Sequence, residues 1–461
     1  MHDAETERRR LQNLAAATAS VRSCSRQHFI GAYLAGQVTY NLGEYPKRFS
    51  IAPTEYDYRL LAELARHGVT LIQLHEEWND SERRLGADKF TCHDPEGLRA
   101  FVRLAHSFGI KVILYASTGF FEATDPDFDP AWSHPAAHLV ELYFDYACCS
   151  PASPGWRAYL LPRLERILDE YEVDGLYDDL GYRAPCSLSP WDPSWVSPGE
   201  ETPTYSAALE DLLATVADLV HRRGGVFKVH ASAANPPACR LKVYDYLWVG
   251  EGVENLDRMR AGTCLIEPYV VPGYDLSRAQ VADEDDLYLH AVPFMQFPLR
   301  IDGRPFTGER AVVEGMNYRR GENCFWTRHC RSQWRRLQEN PDTPPMYGWW
   351  DSAPGRPGAR ARWFHHFDLY RPMVLPGTHA WIDVRDASLF AAPTPDAVTA
   401  SLFVNTDTHL VLANYDTQAA EFASPWTWRD RESGTEGTRF RLPPRDLLFL
   451  VRSPQRAEGC R

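Results

Sequence analysis

Carboxylate residues come directly after several short apolar runs of the chain. Asp178 and Asp179 follow the run that ends at Tyr177, and Glu251 follows the run that ends at Gly250. Two carboxyl groups that face one cleft can cleave a glycosidic bond, because one acts as nucleophile or base while the other donates a proton. If the apolar runs are parallel strands that end at one edge of a sheet, this spacing favours acid–base chemistry by a pair of carboxyl groups.

The residues around Glu251 suit a proton donor. Trp248 lies three positions earlier in an apolar run. An apolar setting disfavours the ionised carboxylate and raises its pKa, as a general acid at neutral pH requires. Asp245 and Glu254 are weaker substitutes in the same stretch, and a salt-bridged glutamate at a strand end is the structural alternative.

Polar and aromatic side chains near the ends of the same runs are candidates for substrate binding. Tryptophan rings stack on sugar faces, whereas histidine, lysine and carboxylate groups bond sugar hydroxyls. Two of the tryptophans lie in a long loop, residues 181–202, after Asp179. Each candidate has an alternative as a core or loop residue. The candidates are His75, Glu76, Trp78, Trp191, Trp195, Lys228, His230, Trp248 and Glu267.

The elements that must position these residues alternate between apolar β-type runs and amphipathic helical stretches. Asp94 with Pro95, and Ser153 with Pro154, are typical helix starts. Strands that alternate with helices predict a parallel sheet, and eight of them predict a (β/α)8 barrel. A doubly wound fold is less favoured, because no G-x-G-x-x-G turn follows an early strand. The candidate strands are 29–34, 69–74, 111–115, 173–177, 226–229, 243–249, 263–266 and 291–297.

The pattern of apolar and turn residues in the sequence changes after residue 375. Short alternating apolar segments separated by turn residues predict a small C-terminal antiparallel β-sandwich. The charged start of the chain predicts a helix. The sequence therefore predicts a helical leader over 1–26, the barrel over 27–375 with a helical or loop segment at 317–370, and the sandwich over 376–461.

The composition of the 461-residue chain limits the classes of partner that it is expected to bind. A net charge of −13, from 49 basic and 62 acidic residues, disfavours binding to a nucleic-acid backbone. No apolar run approaches the length of a membrane span. Ten cysteines without a C-x-x-C pair fit reduced thiols in the cytoplasm. We therefore expect no cofactor, no metal site and no nucleic-acid or membrane partner; a homo-oligomer is compatible with the sequence. The tryptophan and carboxylate candidates favour a carbohydrate substrate.

The segment from Val173 to Gly181 resembles the D-G-x-Y-x-D motif at the end of the fourth strand of retaining glycoside hydrolases with a (β/α)8 barrel, in particular the α-galactosidase and α-glucosidase superfamily. The resemblance implies that Asp179 is the nucleophile, a role that Asp178 takes if the strand ends one residue earlier. The superfamily places its proton donor after the sixth strand, which here implies Glu251, although aspartate is frequent at that position. Retention of configuration and α-linked substrates are implied by the resemblance alone.

Three other functions are compatible with the same sequence. A β-glycosidase would pair the fourth-strand carboxylate with Glu267, but the N-E dipeptide typical of those enzymes is missing. A non-catalytic carbohydrate-binding or regulatory protein would keep the barrel and lose one carboxylate. A metal-dependent hydrolase would need converging histidines, and the strand ends offer only His75 and His230.

Overall fold

The protein is represented by a computed structural model. It describes residues 4–43, 50–79, 90–123, 125–141, 144–178, 205–232, 243–250, 257, 269–272, 285–304 and 358–453. Within these ranges, no helix combines the length and the apolar character that a membrane crossing needs.

The helices and strands are numbered here in chain order. The α-helices are α1 Ala4–Ser20, α2 Glu55–His67, α3 Pro95–Ser107, α4 Pro154–Glu170, α5 Tyr205–His221, α6 Asp285–Ala291 and α7 Ala359–Tyr370. The strands are β1 Val21–Ile30, β2 Val38–Asn41, β3 Leu71–Leu74, β4 Lys111–Ala116, β5 Phe120–Glu122, β6 Ser133–Glu141, β7 Phe144–Cys149, β8 Gly175–Asp178, β9 Val226–Ser232, β10 Tyr246–Gly250, β11 Val270–Pro272, β12 Arg300–Gly303, β13 Thr378–Ala387, β14 Val398–Val404, β15 Thr408–Asn414, β16 Ala420–Asp430, β17 Glu436–Leu442 and β18 Asp446–Arg452.

Eight parallel strands form the sheet that carries the predicted site. Their order is β11-β10-β9-β8-β4-β3-β2-β12, so that the strands follow their chain order and the last, β12, pairs with the first, β2. The predicted parallel sheet of β-strands and helices is thereby confirmed. No ladder joins β11 to β12 within the described part of the chain, although Leu299 N donates to Pro272 O at 2.7 Å between them.

A side-chain bond across the sheet shows that it curls. Lys228 pairs with Tyr177 on the neighbouring strand, and Tyr177 pairs with Tyr115 on the next. The same register, continued across β3, reaches Asn41 at the end of β2. The Lys228 side chain nevertheless bonds Gln37, directly before the start of β2, at 2.8 Å. An offset of about one residue per strand is the stagger of tilted strands in a barrel-like sheet. The sheet therefore has a concave face.

Two strand predictions at the ends of this sheet are wrong. Residues 29–34 are not the first parallel strand, which is Val38–Asn41; Phe29 ends β1 in another sheet. Residues 291–297 include the end of α6 and the 3-10 turn Val292–Phe294, and the last parallel strand is β12. Short apolar runs do not distinguish a buried turn from a strand. The predicted strand 263–266 lies outside the described residues.

Local signals set the helices that flank the sheet. Asp94 caps α3 by accepting a hydrogen bond from Gly97 N at 3.0 Å, and Ser153 caps α4 by accepting from Trp156 N at 3.3 Å. Proline follows each cap at the first helical position, where no N–H donor is needed. Both predicted helix starts are confirmed.

Arg304, directly after β12, holds the segment that follows β2. Its guanidinium donates to Leu42 O at 3.0 Å, to Ser50 O at 2.8 Å and to the Asp57 carboxylate at 2.7 Å. Tyr40 donates to the same carboxylate at 2.6 Å. Burial alone would raise the pKa of Asp57, but the hydrogen bonds from Arg304 and Tyr40 bring it below its ordinary value. This network ties β2, α2 and β12 together.

A separate antiparallel sheet follows, with the order β1-β13-β14-β15-β18-β16-β17. The predicted antiparallel C-terminal sheet is confirmed, and it includes β1 from the start of the chain. The segment 1–26 is helical over Ala4–Ser20 and extended from Val21, because β1 finds its partner in distant β13. Phe403 and Phe449 pack on the core of the parallel sheet, whereas Leu402 and Leu450 belong to a second core.

A small antiparallel sheet, β5-β7-β6, is inserted between β4 and α4. Aromatic rings anchor it beside the end of β4. Phe121 meets Trp132 at 5.5 Å between ring centroids, and Trp132 meets Trp156 at 5.2 Å. Trp156 Nε1 donates to Thr118 O at 2.9 Å. The rings of the insertion therefore pack on Trp156 of α4, which is bonded to the segment that follows β4.

Candidate active site

Alternate residues of the parallel strands face the concave side. Ladder pairing of Tyr115 with Tyr177, of Tyr177 with Lys228 and of Lys228 with Tyr246 places these side chains on one face. The bond from Lys228 to Gln37 across the sheet identifies it as the concave face. Branched aliphatic residues usually fill such an interior, but here polar and aromatic residues prevail. By the two-residue period of the strands, this face carries Gln37, Thr39, Asn41, Gln73, Tyr115, Tyr177, Lys228, His230, Tyr246 and Trp248, together with the aliphatic residues Leu71, Ile113, Val226, Val271 and Ile301.

Five ring side chains meet near the carboxyl ends of these strands: His75, Tyr115, Tyr177, His230 and Trp248, here called the aromatic cluster. Tyr177 lies at its centre, with its ring centroid 6.0 Å from Tyr115, 5.5 Å from Trp248, 6.2 Å from His75 and 6.4 Å from His230. The His230 and Trp248 rings stack at 4.2 Å. Three of the predicted substrate-binding residues, His75, His230 and Trp248, are thus brought together.

Asp178 lies on the opposite face of β8 from Tyr177. It pairs in register with Ala116 and Val229, and it is 1% exposed. Thr118 donates to its carboxylate through the backbone N–H at 3.1 Å and through the hydroxyl at 2.8 Å. The carboxylate therefore connects the end of β8 to the segment after β4.

Several predicted site residues lie outside the described part of the chain. These are Asp179, Trp191, Trp195, Glu251 and Glu267, and their roles stay predictions. Glu76 begins the 3-10 turn Glu76–Trp78 that follows β3.

Trp78 and Lys228 occupy buried positions. Trp78 is fully buried, donates from Nε1 to Tyr115 O at 3.0 Å and meets the Tyr171 ring edge-on at 5.8 Å. Lys228 is also fully buried, and burial lowers its pKa well below the ordinary value. Its bond to Gln37 at 2.8 Å satisfies one of its donors. Trp78 thus supports the backbone of β4, and Lys228 lies deep on the concave face.

Glu77 is a buried acid that the sequence reasoning did not single out. It is 1% exposed, and burial raises its pKa to about 8. Its Oε2 has no hydrogen-bond partner among the described residues. The only sequence signal was its place beside His75 and Glu76, because burial of one residue in a turn leaves no periodic pattern.

Comparisons with known proteins find similarity at the level of structure. No protein-family model matches the sequence, and no curated protein matches it. A variant of the GH36 α-galactosidase AgaA from Geobacillus stearothermophilus, in complex with 1-deoxygalactonojirimycin, has a TM-score of 0.51 at 11% identity, over 90% of this chain and 55% of that chain. The galactosidase domain of the α-galactosidase-sucrose kinase AgaSK has a TM-score of 0.52 at 10% identity, over 90% and 54%.

An α-amylase has a similar fold. The noncanonic maltogenic α-amylase AmyB from Thermotoga neapolitana has a TM-score of 0.51 at 11% identity, over 90% of this chain and 98% of that chain. The chain spans about half the length of the α-galactosidases that it matches and nearly all of this α-amylase. At such identities the similarity shows the fold, which is that of these glycoside hydrolases.

Proposed function

We propose that the protein is a glycoside hydrolase whose site opens at the carboxyl ends of the parallel strands. The aromatic cluster carries this proposal, because Tyr177 lies at its centre and the chain continues from Tyr177 directly into two aspartates. Flat rings with polar edges suit the faces and hydroxyls of a sugar. Ligands of parallel sheets bind at this end of the strands. The fold shared with α-galactosidases and an α-amylase supports the same class.

The nucleophile is Asp179. Asp179 comes two residues after Tyr177, and the two-residue period of a strand supports the concave face for it. Asp178 is in the opposite phase, and its carboxylate accepts hydrogen bonds from Thr118. The resemblance of Val173–Gly181 to the fourth-strand motif supports the same assignment.

The acid/base is Glu251, which directly follows β10 and comes three residues after Trp248. Asp179 attacks the anomeric carbon while Glu251 protonates the departing glycosidic oxygen, which leaves a glycosyl ester on Asp179. A water molecule then gives a proton to Glu251 and attacks the same carbon. The ester bond breaks, the sugar leaves with its configuration retained, and both carboxyl groups return to their starting states.

In this proposal the eight strands close into a (β/α)8 barrel, and the substrate is an α-linked pyranoside. Two carboxyl groups and water suffice for the reaction as written, so it calls for no cofactor. Cys24, Cys92 and Cys149 are in the reduced thiol form, which fits the reducing cytoplasm as the location.

A panel of aryl α- and β-glycosides tests the proposal, with the anomer that is released first identified by NMR. We expect the wild type to hydrolyse at least one α-glycoside with retention, and Asp179→Asn to lower kcat by roughly 1,000-fold or more. Hydrolysis by Asp179→Asn at the wild-type rate would contradict the assignment. Sugar binding by a wild type that hydrolyses nothing would instead identify a non-catalytic carbohydrate-binding protein.

A further inference from the structure

Gln73 lies in the middle of β3 on the concave face and is 1% exposed. Neither Oε1 nor Nε2 of its amide has a hydrogen-bond partner among the described residues. A buried amide without partners is costly, because it has lost its hydration and gained nothing in return. The position therefore calls for a polar partner that is not a described part of the chain.

Other polar groups on the same face share this property. Thr39 is the ladder partner of Gln73, and its Oγ1 has no partner among the described residues. The same holds for Nε1 of Trp248, which is 4% exposed. The concave face thus carries an amide, a hydroxyl and an indole N–H that are buried and have no hydrogen-bond partner among the described residues.

The stagger of the strands brings these groups to adjacent levels. An offset of one residue per strand puts Gln73, Tyr177 and Trp248 at one height of the concave face. The ring contact between Tyr177 and Trp248, at 5.5 Å, agrees with this placement. His75, which contacts Tyr177 at 6.2 Å, follows β3 two residues beyond Gln73 toward the carboxyl end. By this stagger, Gln73 lies level with Tyr177 and Trp248 of the aromatic cluster and below His75.

A second glutamine on the concave face makes the contrast clear. The Oε1 of Gln37 accepts from Lys228 at 2.8 Å, and its Nε2 donates to Leu34 O at 3.3 Å. Burial on this face is therefore compatible with a fully bonded amide. Gln73 therefore lacks hydrogen-bond partners because of its own position, and not because the concave face as a whole excludes such partners.

We propose that Gln73 is a specificity-determining residue that binds a vicinal diol of a pyranose ring, its Nε2 donating to one hydroxyl and its Oε1 accepting from the next. The inference rests on the proposed function and names the part of the sugar that the site recognises. A primary amide matches two adjacent hydroxyls, because its donor and acceptor point the same way. Thr39 Oγ1 and Trp248 Nε1 bond further hydroxyls of the same ring.

Gln73→Met tests the proposal, since it removes both polar atoms at nearly constant volume. The probes are 1-deoxynojirimycin, 1-deoxygalactonojirimycin, and the hydrolysed aryl glycoside with its monodeoxy analogues. We expect the Kd or KM to rise by roughly 10- to 100-fold, while the Tm without ligand stays the same or rises. For the wild type, a substrate that lacks the recognised hydroxyl should show a similar rise in Kd or KM. For Gln73→Met, the same substrate should show no further rise.

Gln27→Met is the matched control, because it makes the same change on exposed β1 of the antiparallel sheet. A second variant, Thr39→Val, should raise the KM by a smaller factor. If the wild type turns over a glycoside but Gln73→Met has an unchanged KM, the inference is wrong and the proposed function stands. A lowered Tm with unchanged affinity would likewise overturn it, since it identifies a structural amide bonded by buried water. A wild type that neither binds nor hydrolyses any probe overturns both.

Discussion

Thr118 donates both its backbone N–H, at 3.1 Å, and its hydroxyl, at 2.8 Å, to the buried carboxylate of Asp178. Thr118 follows β4 and Asp178 ends β8, so the pair joins the carboxyl ends of two neighbouring strands. The next residue in the chain is Asp179. In the proposed mechanism, Asp178 is therefore a positioning residue that fixes the backbone before the nucleophile.

Thr118→Val should lower the free energy of unfolding by about 1–3 kcal/mol, because the buried carboxylate of Asp178 loses a donor. Since the end of β8 is then held less firmly, kcat should fall while KM changes little. Urea unfolding and steady-state kinetics measure the two effects. Thr215→Val is the control, as its hydroxyl bonds Asp211 O within α5. Unchanged stability and kcat in Thr118→Val would show that the pair does not position the strand end.

Arg304→Met should lower the free energy of unfolding by roughly 3–5 kcal/mol, because it leaves the buried carboxylate of Asp57 without its counter-charge. The carbonyls of Leu42 and Ser50 lose their donor in the same step. Urea unfolding measures the loss. Arg59→Met, on the exposed side of α2 where Arg59 pairs with Glu55, should cost less than about 1 kcal/mol. Equal losses in the two variants would argue against the network.

Glu77 should make the protein less stable as the pH rises. Burial raises its pKa in the folded state to about 8 from an ordinary 4.5. The folded state therefore keeps a proton that the unfolded chain releases, and the free energy of unfolding falls between about pH 4.5 and 8, by about 5 kcal/mol at most. Glu77→Gln should remove this slope in urea unfolding across that range, whereas the exposed control Glu421→Gln should keep it. If the slope persists in Glu77→Gln, other groups cause the pH dependence of the free energy of unfolding.

His409 should contribute to loss of stability in acid. Burial lowers its pKa in the folded state to about 3 from an ordinary 6.5. The unfolded chain therefore takes up a proton that the folded protein does not, and the free energy of unfolding falls as the pH drops from about 6.5 to 3. His409→Leu should flatten this part of the stability profile, measured by thermal unfolding against pH. A His409→Leu profile with the wild-type slope would refute the prediction.

Local chemistry explains which elements could be predicted from the sequence. Asp94 and Ser153 cap α3 and α4 as expected, because a cap involves only neighbouring residues. The strand at β1 was missed because its partner β13 lies near the other end of the chain. Apolar pattern alone does not reveal which sheet a strand joins.

The site was predictable in part for a similar reason. Residues that follow parallel strands could be named in advance, and His75, His230 and Trp248 do meet around Tyr177. Whether a given polar group finds a partner depends on the stagger of the whole sheet. The difference between the bonded Gln37 and the available Gln73 is therefore not readable from the sequence.

Covalent trapping of the glycosyl intermediate tests the central claim most directly. The 2-deoxy-2-fluoro glycosyl fluoride of the sugar that the wild type hydrolyses should form an ester that turns over slowly, because the fluorine destabilises the positively charged transition state. Intact-mass and peptide-mass analysis should find one sugar per chain, on Asp179. A label on Asp178 or on any other residue, or hydrolysis without a trapped ester, would contradict the account.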